Sequence, residues 1–313
     1  MLVNECYRLR RRADRGRYSV AAAPRRCQHH SMPTLCAADG TELAYHVQGE
    51  GVPLVCVPGG PMRASVYLGD LGGLSAHRQL IMLDLRGTGQ SAIPADPGSY
   101  RCDRLVDDVA ALRDHLGLGG FDLLGHSAGA NIAVQYAVRY PRQVSKLVLI
   151  TPSGRAVGLE PDSEMRRGIV RLRQGEPWFA EAAAAFERIA ADSGSEDDWR
   201  AIAPFVYGRW DAAAQAHCAA EEAETNEDAA GEFIAEGAFD PGAARAGLAG
   251  LGAPVLVLAG GFDLPRPPGV VAEFAGLFPA ARLVVQPGAG HYPWLDDAGR
   301  FVSAVTEFLN DGP

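Results

Sequence analysis

Phe121-Asp122-Leu123-Leu124-Gly125-His126-Ser127-Ala128-Gly129 is the stretch whose reading decides this chain. A short apolar run leads into a serine held between two glycines. A helical pattern, Asn131-Ile132-Ala133-Val134-Gln135-Tyr136-Ala137, follows at once. A G-x-S-x-G string at a strand-to-helix switch reads as a nucleophile elbow. The turn strains the serine backbone, and glycine on each side lets strand and helix approach closely. The hydroxyl then projects above the sheet. The N–H of Ala128 lies near a helix N-terminus, where negative charge is favoured. The string alone is a weak signal, because short glycine and serine patterns arise by chance. The legible strand before it and helix after it give it weight.

A serine is a poor nucleophile unless a base takes its proton and a third group orients the base. With an elbow of this kind the chain order is Ser, then Asp or Glu, then His. Pro254-Val255-Leu256-Val257-Leu258-Ala259 reads as a fully buried strand, and Gly260-Gly261-Phe262-Asp263 leaves its C-terminal end. Functional groups of open α/β sheets collect there. Arg282-Leu283-Val284-Val285-Gln286 is the next strand, and Pro287-Gly288-Ala289-Gly290-His291 is the loop beyond it. Ser127, Asp263 and His291 are therefore the expected catalytic triad. The bland alternatives are a loop-capping carboxylate for Asp263 and a surface histidine for His291. Leu54-Val55-Cys56-Val57 reads as an early buried strand, and Pro58-Gly59-Gly60-Pro61 follows it. That turn can aim a second backbone N–H at the elbow, so Gly60 and Ala128 are the expected oxyanion hole. A plain Gly/Pro turn is the alternative.

These residues resemble the α/β-hydrolase superfamily and, within it, the proline iminopeptidase branch. Val57-Pro58-Gly59-Gly60-Pro61 resembles that branch's H-G-G-P, and Asp84-Leu85-Arg86-Gly87-Thr88-Gly89-Gln90-Ser91 resembles its D-x-R-G-x-G-x-S. The resemblance runs from about Thr34 to Leu309, and in the middle region it is architectural only. Pro58 stands where the branch has histidine, and Ala128 stands where many iminopeptidases carry tryptophan. Both departures bear on peptidase specificity and leave the triad intact. The elbow is equally at home in esterases and lactonases.

The chain has 313 residues, enough for one large α/β domain with a smaller insertion. Hydrophobic residues make up 47% of it, which fits a soluble globular enzyme. No apolar stretch approaches the ~20 residues needed to span a bilayer, so no membrane partner is expected. Six cysteines are scattered without metal-ligand spacing or a disulfide frame. Cys56 reads as a buried thiol, a cytoplasmic location is expected, and neither metal nor cofactor is called for. Residues 1–31 hold eight arginines against Glu5 and Asp14, a net +6, which leaves −15 for the rest of the overall −9. That head has no helical or strand period and no secretory apolar run. It reads as a disordered extension ahead of a start at Met32, with a transit peptide or nucleic-acid arm as alternatives. The acidic body argues against nucleic acid as a partner.

Leu43–Gln48, Leu54–Val57, Leu80–Asp84, Phe121–Leu124, Lys146–Ile150, Val255–Ala259 and Arg282–Gln286 are the strands expected, mostly continuous apolar runs. Between them Leu105, Val109, Leu112 and Leu116, and later Phe301, Val305 and Phe308, recur at helical spacing. The expected fold is therefore α/β of the α/β-hydrolase kind: a mainly parallel sheet flanked by helices, with an inserted helical cap. Residues 32–150 and 251–313 form the expected core and 151–250 the cap, where strand signals vanish. Its helical runs lie near Glu164–Arg173, Trp178–Ala191, Glu196–Tyr207 and Asp211–Glu236. A cap limits water access and shapes the pocket.

Residues 211–240 hold nine carboxylates and no Lys or Arg. A solvated helix face explains such a run. In iminopeptidases cap carboxylates hold the substrate's free amine, so the resemblance makes Glu221, Glu222 and Glu224 candidate binders of a cation. Trp178 and Trp210, with Phe179, Phe205 and Tyr207, either line an apolar pocket or form the cap's own core. The expected activity is that of a serine hydrolase working through an acyl-enzyme on a small molecule or short peptide. Ester and N-terminal prolyl amide are the two substrate classes. A carboxylesterase or lactonase, or a weakly catalytic ligand receptor on the same fold, are the alternatives. Oligomeric state is left open. Aspartate at the elbow would have meant dehalogenase or epoxide hydrolase chemistry, and Ser127 disfavours both.

Overall fold

A computed structural model describes residues 33–312; the arginine-rich head falls outside them. Eight strands form one sheet: β1 (Thr34–Cys36), β2 (Glu42–Gln48), β3 (Pro53–Val57), β4 (Gln79–Leu83), β5 (Phe121–His126), β6 (Val144–Ile150), β7 (Val255–Gly260) and β8 (Ala281–Gln286). Their order is β1-β2-β4-β3-β5-β6-β7-β8. β1 and β2 pair antiparallel, as do β2 and β4, and every pair from β4 to β8 is parallel. All seven expected strands are present, with ends shifted by one or two residues. β1 was not anticipated, because three residues carry no readable period. β5 and β7 are buried along their whole length, which is why both read as unbroken apolar runs.

The helices are α1 (Cys102–His115), α2 (Gly129–Arg139), α3 (Ser163–Leu172), α4 (Phe179–Ala190), α5 (Glu196–Ala201), α6 (Ala212–Glu224), α7 (Glu227–Phe233), α8 (Pro241–Ala249), α9 (Pro268–Ala275), α10 (Pro293–Asp296) and α11 (Ala298–Asn310). One core cluster joins Leu105, Val109 and Leu112 of α1 to Ile132 of α2 and Phe274 of α9. A second places Phe301, Val305 and Phe308 of α11 against Leu54, Leu124 and Leu256. The sheet is therefore covered on both faces. No helix among the described residues is long and apolar enough to cross a membrane.

Between β6 and β7 lie helices α3 to α8, with internal breaks the sequence did not reveal. Pro204 converts the end of the third run into a 3-10 turn, Ala203–Val206. The fourth run splits at Thr225-Asn226. There the Asn226 side chain caps α7 by accepting from the Ala229 N–H at 3.0 Å. The break has a purpose in the packing. Ala64 N donates to Glu224 O at 2.9 Å and Asn226 N to Met62 O at 3.0 Å, stitching the end of α6 to the loop after β3. α3, α4 and the 3-10 turn share a core of their own around Ile169, Phe186 and Phe205. α8, by contrast, lies on α2. Ala244 and Leu248 join the main core, and a Cβ at Gly247 would come within 2.5 Å of Val138, so this helix is the crossover into β7.

Candidate active site

Ser127 follows β5 with φ 51°, the left-handed region an L-residue enters at a cost. The fold enforces it from both sides. A Cβ at Gly125 would lie 2.9 Å from Ala130 Cα, and one at Gly129 would lie 2.4 Å from the Val57 and Pro58 carbonyls. Only glycine lets α2 leave the sheet so sharply. Ser127 N donates to Ile150 O at 3.0 Å and Ser127 O accepts from Ser153 N at 3.0 Å, tying the elbow to the end of β6.

The three residues singled out in the sequence meet here. His291 Nε2 lies 2.8 Å from Ser127 Oγ, and His291 Nδ1 lies 2.9 Å from Asp263 Oδ2. Asp263 is fully buried and its second oxygen accepts from Arg266 N at 2.9 Å. The His291 backbone is held on two sides. Its N–H donates to Val206 O at 2.7 Å, and its carbonyl accepts from Thr151 Oγ1 and His126 Nε2, both at 3.0 Å. Such a line can move a proton from the serine hydroxyl onto the imidazole while the carboxylate fixes the tautomer.

His126 and Tyr67, which the sequence reading passed over, brace this arrangement. Gly59 N donates to Tyr67 Oη at 2.7 Å. The hydroxyl is 2.6 Å from His126 Nδ1, and His126 Nε2 reaches the His291 carbonyl. One relay thus joins the loop after β3, the elbow and the His291 loop. Burial and the neighbouring His291 hold His126 well below the usual histidine range, so it stays neutral and keeps this pattern. His126 occupies the open position of the G-x-S-x-G string, which a sequence pattern leaves unread. The motif from Asp84 to Ser91 is scaffolding as well. Asp84 Oδ1 accepts from Ser65 N and Oγ at 2.8 and 2.7 Å, Oδ2 from Gln90 N at 3.0 Å, and Arg86 pairs with Asp108 and Asp39.

A cavity opens over Ser127, lined in part by Gly60, Ala128, His291, Tyr292, Phe233 and Glu221. The cap candidates divide. On α6 residues 217, 221 and 224 share a helix face, while 222 points to the other side. Glu224 pairs with Arg63, its Oε2 2.8 Å from Nε and 2.7 Å from Nη2. Glu221 is 3.9 Å from the same guanidinium, and Glu222 is exposed. Arg63 itself is 1% exposed, donates to the His217 carbonyl at 3.0 Å, and lies over the Tyr67 ring. Burial works against its charge, but Tyr292, Glu221 and Glu224 hold its pKa above the ordinary value. The carboxylates expected to await a ligand's amine thus already face an internal cation. Trp178 and Trp210 do not reach the cavity. Trp178 packs edge-on against Phe205 and over Arg173, inside the cap's core, and Trp210 packs on Tyr207.

Three arginines missed in the sequence, Arg155, Arg166 and Arg266, also line the cavity. Arg166 follows Asp162, the N-cap of α3, by four residues, so helical winding turns it inward while Arg167 pairs with Glu187 outside. Only a firm helix boundary would have revealed that.

The proline iminopeptidase of Heyndrickxia coagulans is 25% identical over 278 residues, covering 84% of this chain and 92% of that protein. An AB hydrolase superfamily protein of Bacillus subtilis is 29% identical over 150 residues, so this chain spans only about half of that relative, 48% of each. Among solved structures, a thermophilic esterase from Thermogutta terrifontis superposes with a TM-score of 0.64 at 26% identity, covering 89% of this chain and 98% of that one. The family model for the alpha/beta hydrolase fold matches residues 52–298, from β3 past the His291 loop, and the chain belongs to that family of hydrolases.

Proposed function

We propose that this protein is a serine hydrolase acting by acyl transfer on carboxylic esters. The observation that carries the reading is the unbroken hydrogen-bonded line from Asp263 through His291 to a serine held at positive φ in the cavity floor. His291 Nε2 takes the Ser127 proton as Oγ bonds to the ester carbonyl carbon. The carbonyl oxygen, now negative, is held by the N–H groups of Gly60 and Ala128. Gly59 is the wrong donor, because its N–H is engaged by Tyr67 Oη, whereas Gly60 and Ala128 both line the cavity. Collapse expels the alcohol, which takes its proton from His291, and leaves an ester on Ser127. Water then gives a proton to His291, attacks that ester, and releases the acid and the free serine.

An ester is favoured over an aminoacyl amide because a substrate ammonium would have to compete with buried Arg63 for Glu221 and Glu224. The amide reading keeps two supports of its own: Glu221 does line the cavity, and the similarity to an iminopeptidase extends over most of the chain. A fluorophosphonate should label wild type at Ser127 and leave Ser127→Ala unlabelled. Ser127→Ala should also lose ester hydrolysis by ~10³-fold or more with its fold intact. Activity near wild type in that variant would remove Ser127 as nucleophile. A panel of p-nitrophenyl esters against prolyl arylamides decides the class, and faster turnover of the arylamides would reverse the preference stated here.

A further inference from the structure

Arg166 and Arg266 are 6% and 8% exposed, and both line the cavity that holds Ser127. Arg266 lies close to the reacting centre. Its amide donates to Asp263, and its Nη2 donates at 3.1 Å to the Ser153 hydroxyl, whose own N–H binds the Ser127 carbonyl. Its Nη1 reaches Glu160 Oε2 at 3.1 Å and Pro265 O at 3.3 Å. Arg166 Nη1 donates to Pro161 O at 2.9 Å, and Arg155 Nη2 lies 3.1 Å from Glu160 Oε1.

The charges on this wall do not balance. Arg266 and Arg155 pair with Glu160, whose side chain is 35% exposed and so partly screened by water, while Arg166 feels only Glu160 and the exposed Asp162 through space. Asp263 is taken up by His291 and the Arg266 amide. Nor are the hydrogen bonds complete, since the Nε atoms of both Arg166 and Arg266 are buried without a partner among the described residues. A buried donor left unmade is costly, more so on a charged group. The electrostatics agree. Burial and the Arg266 charge push Arg166 down to about 10, while Glu160, despite burial, is held below the usual carboxylate range by Arg266 and Arg155. A second cation would make this worse and an anion would relieve it. The planar guanidinium fork matches a carboxylate or a phosphate with two parallel N–H···O bonds, and of the two a carboxylate is the group that forms the end of an acyl chain itself.

We propose that Arg166 and Arg266, with Arg155 beside them, bind a carboxylate of the substrate, so that the preferred substrates are monoesters of dicarboxylic acids. This rests on the ester-hydrolase reading above and names the class of ester. The remote carboxylate anchors the acyl chain, and the ester carbonyl at its other end meets Ser127 Oγ.

The test compares p-nitrophenyl half-esters of adipic to suberic acid with p-nitrophenyl hexanoate to octanoate, pairs that differ only by carboxylate for methyl at the chain end. Wild type should favour the half-ester in kcat/KM by tenfold or more for at least one chain length. Arg166→Met should shrink that ratio by tenfold or more, mainly through KM, and Arg166→Lys should recover part of it. Free adipate should inhibit neutral-ester hydrolysis competitively in wild type, a measurement that needs no variant to fold. Neutral esters winning at every length, with no inhibition by adipate, would overturn the proposal while leaving the serine-hydrolase reading intact. If no ester is turned over and the fluorophosphonate does not label, that reading fails instead. The arginine wall is then judged by calorimetric titration of adipate: binding lost in Arg166→Met sustains it, and no binding to wild type ends it.

Discussion

Two sets of arginines border the same cavity, and they treat their charge in opposite ways. Arg63 is buried with a partner for every guanidinium nitrogen: Glu224 for Nε, the Tyr292 hydroxyl at 3.4 Å for Nη1, and the His217 carbonyl for Nη2. Arg166 and Arg266 are buried nearly as deeply, yet each keeps an Nε without a partner among the described residues, and of the two only Arg266 pairs with the partly exposed Glu160 that Arg155 also holds. A saturated cation is a strut, because its removal strands the groups it satisfied. An unsaturated pair weakens the fold that holds it, and such a cost is found where a site is kept for something outside the chain. The contrast therefore separates the part of the cavity that holds the cap in place from the part that reads a ligand.

The comparison presumes that the chemistry lies between these two sets, on the Ser127–His291 line. His291→Ala tests that first and should have the largest effect: kcat for any ester falling by ~10³-fold or more, with KM changed far less. The backbone of residue 291 would still be held by Val206, Thr151 and His126, so the melting temperature should stay close to wild type. A loss under tenfold would mean that neither arginine set frames the reacting centre.

Next in size is the strut. Arg63→Met removes the cation facing Glu224 and Glu221 and the guanidinium stacked on Tyr67. Breaking a fully buried pair from one side costs roughly 3–5 kcal/mol. Because the Glu224 side chain is 20% exposed, water recovers part of that, and about 2–4 kcal/mol is expected by urea unfolding. Backbone bonds from Ala64 and Asn226 still stitch α6 to the core, so the cap should loosen rather than detach. A change under 1 kcal/mol would erase the distinction between the two sets.

The sequence declares one of these regions far better than the other. Ser127 and Asp263 were readable because each follows a strand buried along its length, and continuous apolar runs such as Leu256–Ala259 are unmistakable when both sheet faces are covered; His291 was readable from the glycine-containing loop after the half-exposed β8. Gly60, singled out from the turn after β3, lines the cavity. The arginine sets were not readable. Arg63 lies in an irregular loop, Arg166 beside the exposed Arg167, and Arg266 three residues past Asp263; each owes its burial to an element distant in the chain. The acidic run was ambiguous for the same reason. Composition counts Glu221, Glu222 and Glu224 alike, whereas one helix face and one buried arginine distinguish them. For Trp178 and Trp210 the sequence left pocket and cap core open, and they pack within the cap because a small helical unit must first fill its own core.

A smaller effect concerns His217, which belongs to the saturated set. Its ring packs edge-on against Tyr292 at 4.4 Å between centroids, Nδ1 is 2.9 Å from Tyr207 Oη, and Nε2 is 3.3 Å from Tyr67 O. Burial, and then the charge of Arg63, lower its pKa to about 4. The unfolded chain takes up a proton near the ordinary histidine value of about 6.5, and the folded one only near 4. Stability from this group is therefore complete above pH 6.5, is lost as pH falls through the window from 6.5 to 4, and does not decline further below it. With the ring partly exposed, about 1–2 kcal/mol is expected. His217→Gln should flatten that limb when ΔG of unfolding is compared at pH 7 and pH 4.5. Identical pH slopes in variant and wild type would show that His217 is not held neutral.

The smallest change is the sharpest discriminator. Arg166→Met keeps the aliphatic length of the side chain and removes a buried charge whose Nε is unpartnered and whose nearest guanidinium repels it. The hydrogen bond to Pro161 O is lost, a term of about 1 kcal/mol. Against it stands the relief of burying one cation fewer beside Arg266. The two terms are of similar size and opposite sign, so stability should lie within about 1 kcal/mol of wild type, or slightly above it. Arg63→Met, the same substitution at a similarly buried arginine on the same cavity, should cost several times more. If Arg166→Met instead loses about 2 kcal/mol or more, the size of a severe core change, Arg166 is a strut like Arg63. The unpartnered Nε would then have to be read as tolerated imperfection and not as a place kept for a carboxylate.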